Sequence, residues 1–313
     1  MLNERALGFV EAVVARADDL RVSVEQTIDG GRTIDCGVDA HGGIEAGLAL
    51  ARVCLAELGT VSIHPGDVSG APLPIVQVST DHPVRACLAS QYAGWAIHHG
   101  EFFAMGSGPM RAAYGGEDLF DSIGMREPAA AIVGVLETRT LPGKDVYDLV
   151  GEKAGVDPNL VTLMVAPTAS IAGGVQVVAR SVETALHKLH ELKFDLGRVV
   201  SGWGSDPLPP VAKGDLEAIG RTNDCVLYGG RVVLWVRGDD ASLDAIGSSV
   251  PSSASPDHGA PFLEIFERYE RDFYKIDPRL FSPAEFVFQN LDTGRTHRFG
   301  ACAPDILAKS LFE

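Results

Sequence analysis

Between residues 129 and 201, short apolar runs alternate with amphipathic ones, and this alternation restricts the fold more than any other feature of the chain. Residues 129–136, 160–165 and 198–201 read as strands, and 142–154, opened by Pro142-Gly143-Lys144, and 173–192 as helices. Strands separated by helices of this length favour an α/β arrangement. Three hairpin signals surround the alternation: Asp29-Gly30-Gly31 between 21–28 and 32–38, Gly229-Gly230 between 225–228 and 231–236, and Asp292-Thr293-Gly294 between 284–291 and 296–300. Helical periodicity also marks 1–19, 43–58, 83–98 and 261–273, and residues 61–64 and 74–78 look extended. The expected class is α/β with mixed α+β sheets. Residues 126–264 are expected to form a middle lobe, and 1–125 with 265–313 a terminal lobe, with a ligand cleft between them.

The chain of 313 residues is 46% hydrophobic and 22% charged, as in globular proteins, and its net charge is −16. Such an acidic chain repels nucleic acid and anionic membranes, so an anionic ligand has to be met by local Arg, Lys or backbone N–H groups. The five cysteines, Cys36, Cys54, Cys87, Cys225 and Cys302, show no CxxC spacing, which suits a reducing compartment. Charged residues break up the apolar period of the N-terminus, which reads as a surface helix and not a signal peptide, and no run suffices for a membrane span. A cytoplasmic location is expected.

Chemistry concentrates around residues 165–192. Apolar positions 175, 178, 179, 182, 186 and 189 form one helical stripe, and Gln176, Arg180, Glu183 and His187 form a separate polar one. Arg180 and Glu183, three apart, can meet. That spacing suits either a surface ion pair or a functional pair. The preceding Pro167-Thr168-Ala169-Ser170-Ile171-Ala172-Gly173-Gly174 carries no charge, and its small side chains let a flat ligand reach the backbone; a plain capping loop has the same composition. A second small-residue loop is Gly106-Ser107-Gly108-Pro109-Met110-Arg111, where Arg111 could anchor an acidic group or lie on the surface. HExxH, GxSxG and P-loop patterns are absent, no metal is expected, and His187 and His190 are expected to be solvated.

The run Val175-Gln176-Val177-Val178-Ala179-Arg180-Ser181-Val182-Glu183 resembles the signature of methenyltetrahydromethanopterin cyclohydrolases. Gly106-Ser107-Gly108-Pro109-Met110-Arg111-Ala112 is similar to that family's GSGPARA-like loop, with Met110 replacing the usual alanine. Asn223-Asp224 ahead of Leu227-Tyr228-Gly229-Gly230, and Ser282-Pro283-Ala284-Glu285, match in the same order, so the resemblance spans nearly the whole chain. It implies a two-domain α/β subunit, a homotrimer and no metal or separate cofactor. The substrate would be a pterin one-carbon carrier, tetrahydromethanopterin or a variant with a less acidic tail. Water would convert its methenyl form to the N5-formyl form in formaldehyde oxidation or methanogenesis. Glu183 would be the acid/base, held and electrostatically tuned by Arg180. Gly106, Ser107, Gly108, Pro109, Arg111, Pro167, Thr168, Ser170, Gly173, Gln176, Ser282 and Glu285 would bind substrate. Two other readings stay open on the residues: a metal-dependent amidohydrolase acting on a pterin-like substrate, and a non-catalytic pterin-binding protein.

Overall fold

The structure, a computed structural model, describes residues 1–27 and 30–313. The expected turn at Asp29 and the strand end at Ile28 lie outside the described residues. The chain opens with α1 (Leu2–Val14) and α2 (Ala17–Leu20). Leu2, Ala6, Val10 and Val13 recur every three or four residues along α1 and are all buried. β1 (Ser23–Gln26), β2 (Arg32–Asp35) and α3 (Ile44–Cys54) follow. Then come β3 (Gly59–Val68) and β4 (Ala71–Thr80), joined by Ser69 and Gly70 at φ 51° and 84°, the positive angles of a mirror-image two-residue turn.

The helix expected over 83–98 is only half a helix. A π-helix occupies Val84–Gln91, and β5 (Trp95–His99) takes the rest. Trp95 pairs with Gly106 of β6 (Phe102–Ser107), a contact that local periodicity does not encode. Next are α4 (Met110–Tyr114), α5 (Leu119–Ile123), β7 (Ile132–Glu137), α6 (Lys144–Ala154) and β8 (Val161–Ala166). The single helix expected over 173–192 is two, α7 (Ile171–Val178) and α8 (Ser181–Glu191), broken at Arg180, where φ is −100° and ψ 8°.

β9 (Val199–Pro207) and α9 (Asp215–Gly229) follow. The hairpin expected at Gly229-Gly230 does not form, because residues 225–228 complete α9. Cys225, Leu227 and Tyr228 are buried in that helix, and a short buried apolar run reads the same as a strand. β10 (Arg231–Val236), α10 (Asp240–Gly247), α11 (Phe262–Arg268), β11 (Glu285–Asn290), β12 (Thr296–Gly300) and α12 (Pro304–Phe312) complete the chain. The third expected hairpin, β11–β12, is present.

Two compact units result, drawn at other points than the lobes expected from sequence: residues 1–60 with 84–176, and 61–83 with 177–313. Strand pairing explains the second grouping, since β4 runs antiparallel to β9, with Val76 opposite Asp206. Each unit holds a six-stranded mixed sheet, so the α/β class stands.

In the first unit the order is β1-β2-β8-β7-β6-β5, with β2, β8 and β7 parallel. Side chains alternate across this sheet. Val133, Val135, Met164 and Ala166 pack with α1 and α3 residues on one face; Ile132, Leu136, Leu163 and Val165 pack with Val146, Tyr147 and Val150 of α6 on the other. Burial on both faces is what a parallel sheet requires.

The second sheet runs β12-β11-β10-β9-β4-β3; β10 and β11 are parallel, while β9 with β10, β11 with β12 and β4 with β9 are antiparallel. At its β12 edge His297 bridges two carboxylates of α10, Nδ1 lying 2.6 Å from Asp244 and Nε2 2.9 Å from Asp240. Burial opposes the imidazolium, but those two carboxylates outweigh it and hold the imidazole above its ordinary range. Burial likewise opposes the Asp240 charge; hydrogen bonds from His297, Thr293 and Asn290 outweigh it and hold that carboxyl at about 2. A raised imidazole stabilises the fold fully below the unfolded value of about 6.5 and loses that contribution as pH rises through the folded value. The gap in melting temperature between wild type and His297→Gln should therefore narrow as pH is raised from about 6 to about 9. Equal gaps across that range would show that the charged pair contributes nothing.

Candidate active site

The carboxyl ends of parallel strands in open α/β sheets are where ligands usually lie. In the first unit the loops after β2 and β8 meet there. Asp35, 3% exposed at the end of β2, accepts four backbone N–H groups: Gly37 and Val38 at 2.9 and 2.7 Å, and Asp39 and Ala40 at 2.8 and 2.7 Å. One carboxylate thus folds residues 37–40 around itself. A Cβ on Gly37 would lie 2.9 Å from Ser170 Oγ, so the loops touch.

After β8 the small residues do the work expected of them. Ser170 Oγ donates to the Pro167 carbonyl at 2.8 Å and accepts from Gly173 N–H at 2.9 Å, capping α7. A Cβ on Gly173 would stand 2.0 Å from the Pro167 oxygen, so glycine is required. Buried Thr168 donates its hydroxyl to Glu137, the half-buried last residue of β7. Gln176 is 2% exposed on α7.

Gly106-Ser107-Gly108-Pro109 stands elsewhere. β6 runs antiparallel to β7, Met105 opposite Glu137 and Ser107 opposite Val135, so the chain moves away from the carboxyl end that bears Thr168. Gly108, at φ 88°, donates its N–H to Ser90 of the π-helix at 2.9 Å. Arg111 has no exposed surface. Its guanidinium donates to the Leu88 and Ser90 carbonyls at 2.8 and 3.3 Å and to both oxygens of Glu117, 2.8 and 2.5 Å away. It also lies over the Tyr92 and Phe120 rings. Its donors thus close the end of the π-helix.

In the second unit Arg180 and Glu183 occupy the start of α8, Arg180 as N-cap and Glu183 on the first turn. They are 7% and 5% exposed, which removes the surface ion pair as a description. Two glycines of β9 set their position. Gly202 and Gly204 face α8, where an added Cβ would lie 2.7 Å from Val182 Cγ1 and 2.4 Å from Ser181 Oγ. With no side chain on either, the first turn of α8 lies directly on the strand. His187 and His190 are half-buried, not solvated as expected, because α8 is buried along much of its length, including Lys188 at 2%.

Ser282 and Glu285 also belong to the second unit. Ser282 is fully buried just before β11. Glu285 opens that strand and pairs with Arg231 at 3.5 Å and Arg298 at 2.5 Å. Asp224 is buried on α9, where it accepts from Phe262 N–H at 2.7 Å and the Ser310 hydroxyl at 2.5 Å.

The profile of the family described as Cyclohydrolase (MCH) matches residues 1–311. A protein of Rhodopirellula baltica named methenyltetrahydromethanopterin cyclohydrolase is 50% identical, over 92% of this chain and 88% of its own length. Proteins of that name from a Methylobacterium species and from Methanosarcina barkeri are 48% and 42% identical, each over 99% of this chain and 97% of their own length. The chain belongs to this cyclohydrolase family.

Among the described residues of this family member, no three His, Cys, Asp or Glu side chains cluster so as to hold a metal ion, and no helix is long and apolar enough to cross a membrane. A cavity of about 360 Å³ in the second unit is lined by Ser205, Tyr228, Arg231 and Cys302 among others, and none of the residues expected to bind substrate lines it. Sequence reasoning passed over Asp35, Glu137 and the Gly202/Gly204 row. Only the last left a signal, two glycines at strand period in Ser201-Gly202-Trp203-Gly204.

Two stability measurements follow. Arg111→Met strands Glu117 and two carbonyls and should cost about 3–5 kcal/mol in urea denaturation, where a surface arginine would cost almost nothing. Gly204→Ala should cost about 1–3 kcal/mol through overpacking against Ser181, whereas Gly8→Ala, inside α1 with nothing within 4 Å, should leave the midpoint unmoved or raise it. Equal midpoints for the two glycine variants would mean that β9 does not fix α8.

Proposed function

We propose that this chain hydrolyses the methenyl form of a tetrahydromethanopterin-type carrier to the N5-formyl form, with Glu183 as acid/base and Arg180 beside it. The supporting observation is the burial of both side chains at the start of one helix, in a chain whose relatives bear that activity in their names.

The chemistry asks for such a pair. The methenyl carbon shares a positive charge with two nitrogens. Water adds to it and passes one proton to the Glu183 carboxylate. The bond to one nitrogen then breaks, and that nitrogen receives the proton back from Glu183. The second proton of the water leaves as the carbonyl of the formyl group forms. A single carboxylate thus serves as base and then as acid. Arg180 holds it in place.

The small-residue loop at Pro167, Thr168, Ser170 and Gly173, with Gln176, supplies backbone and amide contacts to the pterin. Gly106, Ser107, Gly108 and Pro109 support their loop from the π-helix side, and Arg111 acts as its internal anchor. Ser282 and Glu285 remain candidates on the family resemblance alone. The same resemblance supports a homotrimer and a reaction without a separate cofactor or metal, and the scattered cysteines, which lack CxxC spacing, support a cytoplasmic location.

Glu183→Gln keeps the size of the side chain and removes its proton chemistry. It should lower kcat for loss of the methenyl absorbance by about 100-fold or more, with substrate affinity within a few-fold of wild type. Wild-type turnover in this variant would remove Glu183 from the mechanism.

A further inference from the structure

One buried ionisable group of the second unit has no part in this mechanism. Asp206, near the end of β9, has no exposed surface. Both its carboxyl oxygens are buried without a hydrogen-bond partner among the described residues. Gly230 makes room for it, since a Cβ there would lie 2.5 Å from Oδ1. Buried polar groups are almost always paired, and an unpaired carboxyl lowers stability, so its presence needs a reason.

The reason lies on the same face of β9. Side chains two apart on a strand point the same way, so Gly202, Gly204 and Asp206 form one row. Val182 sits over Gly202 and Ser181 over Gly204. Asp206 is the next position, and the Ser181 hydroxyl faces it. That hydroxyl is itself fully buried and unpartnered. Ser181 stands between Arg180 and Glu183, as the first residue of α8.

We infer that Asp206 is a positioning residue for the Arg180–Glu183 pair, acting through the Ser181 hydroxyl. The inference rests on the acid/base role proposed for Glu183. Burial pushes the Asp206 carboxyl well above the usual carboxylate range, which favours the uncharged form that can donate an O–H. An uncharged acid does not repel the Glu183 carboxylate on the neighbouring turn. A modest side-chain rotation lets it donate to Ser181 Oγ, which fixes the first turn of α8 and the direction in which Glu183 projects. Catalytic geometry is sensitive to displacements of about 1 Å. On this account the carboxyl is kept for activity at the expense of stability, a trade-off known from other active sites.

The test uses the full-length enzyme with methenyl-tetrahydromethanopterin, reading kcat, KM, the pH profile of kcat and the melting temperature. Asp206→Leu should melt at or above wild type, while its kcat falls about tenfold or more and its KM stays within about twofold. Asp206→Asn, still a neutral donor, should recover most of the lost kcat and keep the wild-type pH profile. Ser181→Ala should match the Leu variant, and the double variant should be no slower than either single, the signature of a shared pathway.

Wild-type kcat in both Asp206→Leu and Ser181→Ala, or losses that multiply in the double variant, would overturn the inference. If Asp206→Leu fails to fold, Asp206→Asn and Ser181→Ala decide by the same criteria. A wild-type enzyme inert toward the methenyl carrier would reject the cyclohydrolase reading first and the inference with it.

Discussion

The close approach of α8 to β9 is the contact on which the placement of Arg180 and Glu183 depends. A helix on a sheet normally rides on the strand's side chains. Here two strand positions carry none, and Ser181 and Val182 descend into the gap. Burying charged side chains costs stability unless their geometry is tightly held. The glycine row supplies that hold, and it does so on a strand paired on both sides, with β4 and β10. Arg180 and Glu183 therefore project from rigid backbone, though they lie beside a break in the helix.

The first unit uses a different device for the same end. Its loops stand at the carboxyl ends of parallel strands, and side chains replace the missing backbone ladder. Asp35 gathers four N–H groups, Ser170 caps α7, and Thr168 ties β8 to Glu137 of β7. Small residues bring the backbone forward, and internal polar contacts keep it there.

Much of this was legible because the 129–201 region repeats a simple pattern, and β7, α6 and β8 stand close to where the periodicity puts them. Residues 225–228 misled because a buried helical turn and a strand share the same apolar composition. Residues 95–99 misled because their extended form depends on pairing with β6. The unit boundaries were hidden for the same reason, since β4 finds its partner far along the chain. At the site, spacing placed Arg180 and Glu183 side by side but could not report their burial, and the family resemblance added their importance. Asp35 and Asp206 gave no signal, because a lone aspartate looks the same whether it is solvated, encircled by amides or sealed in a core.

The β3–β4 hairpin is a short excursion of the chain between two segments of the first unit, and its pairing partner β9 is encoded much later. During synthesis β4 emerges about 120 residues ahead of the strand that covers it, an interval on the order of ten seconds at cellular elongation rates. Through that interval an apolar strand edge has no mate within its own molecule. The nascent chain is then most exposed to sticking to its neighbours, and the folding of the second unit is governed by the ribosome's pace.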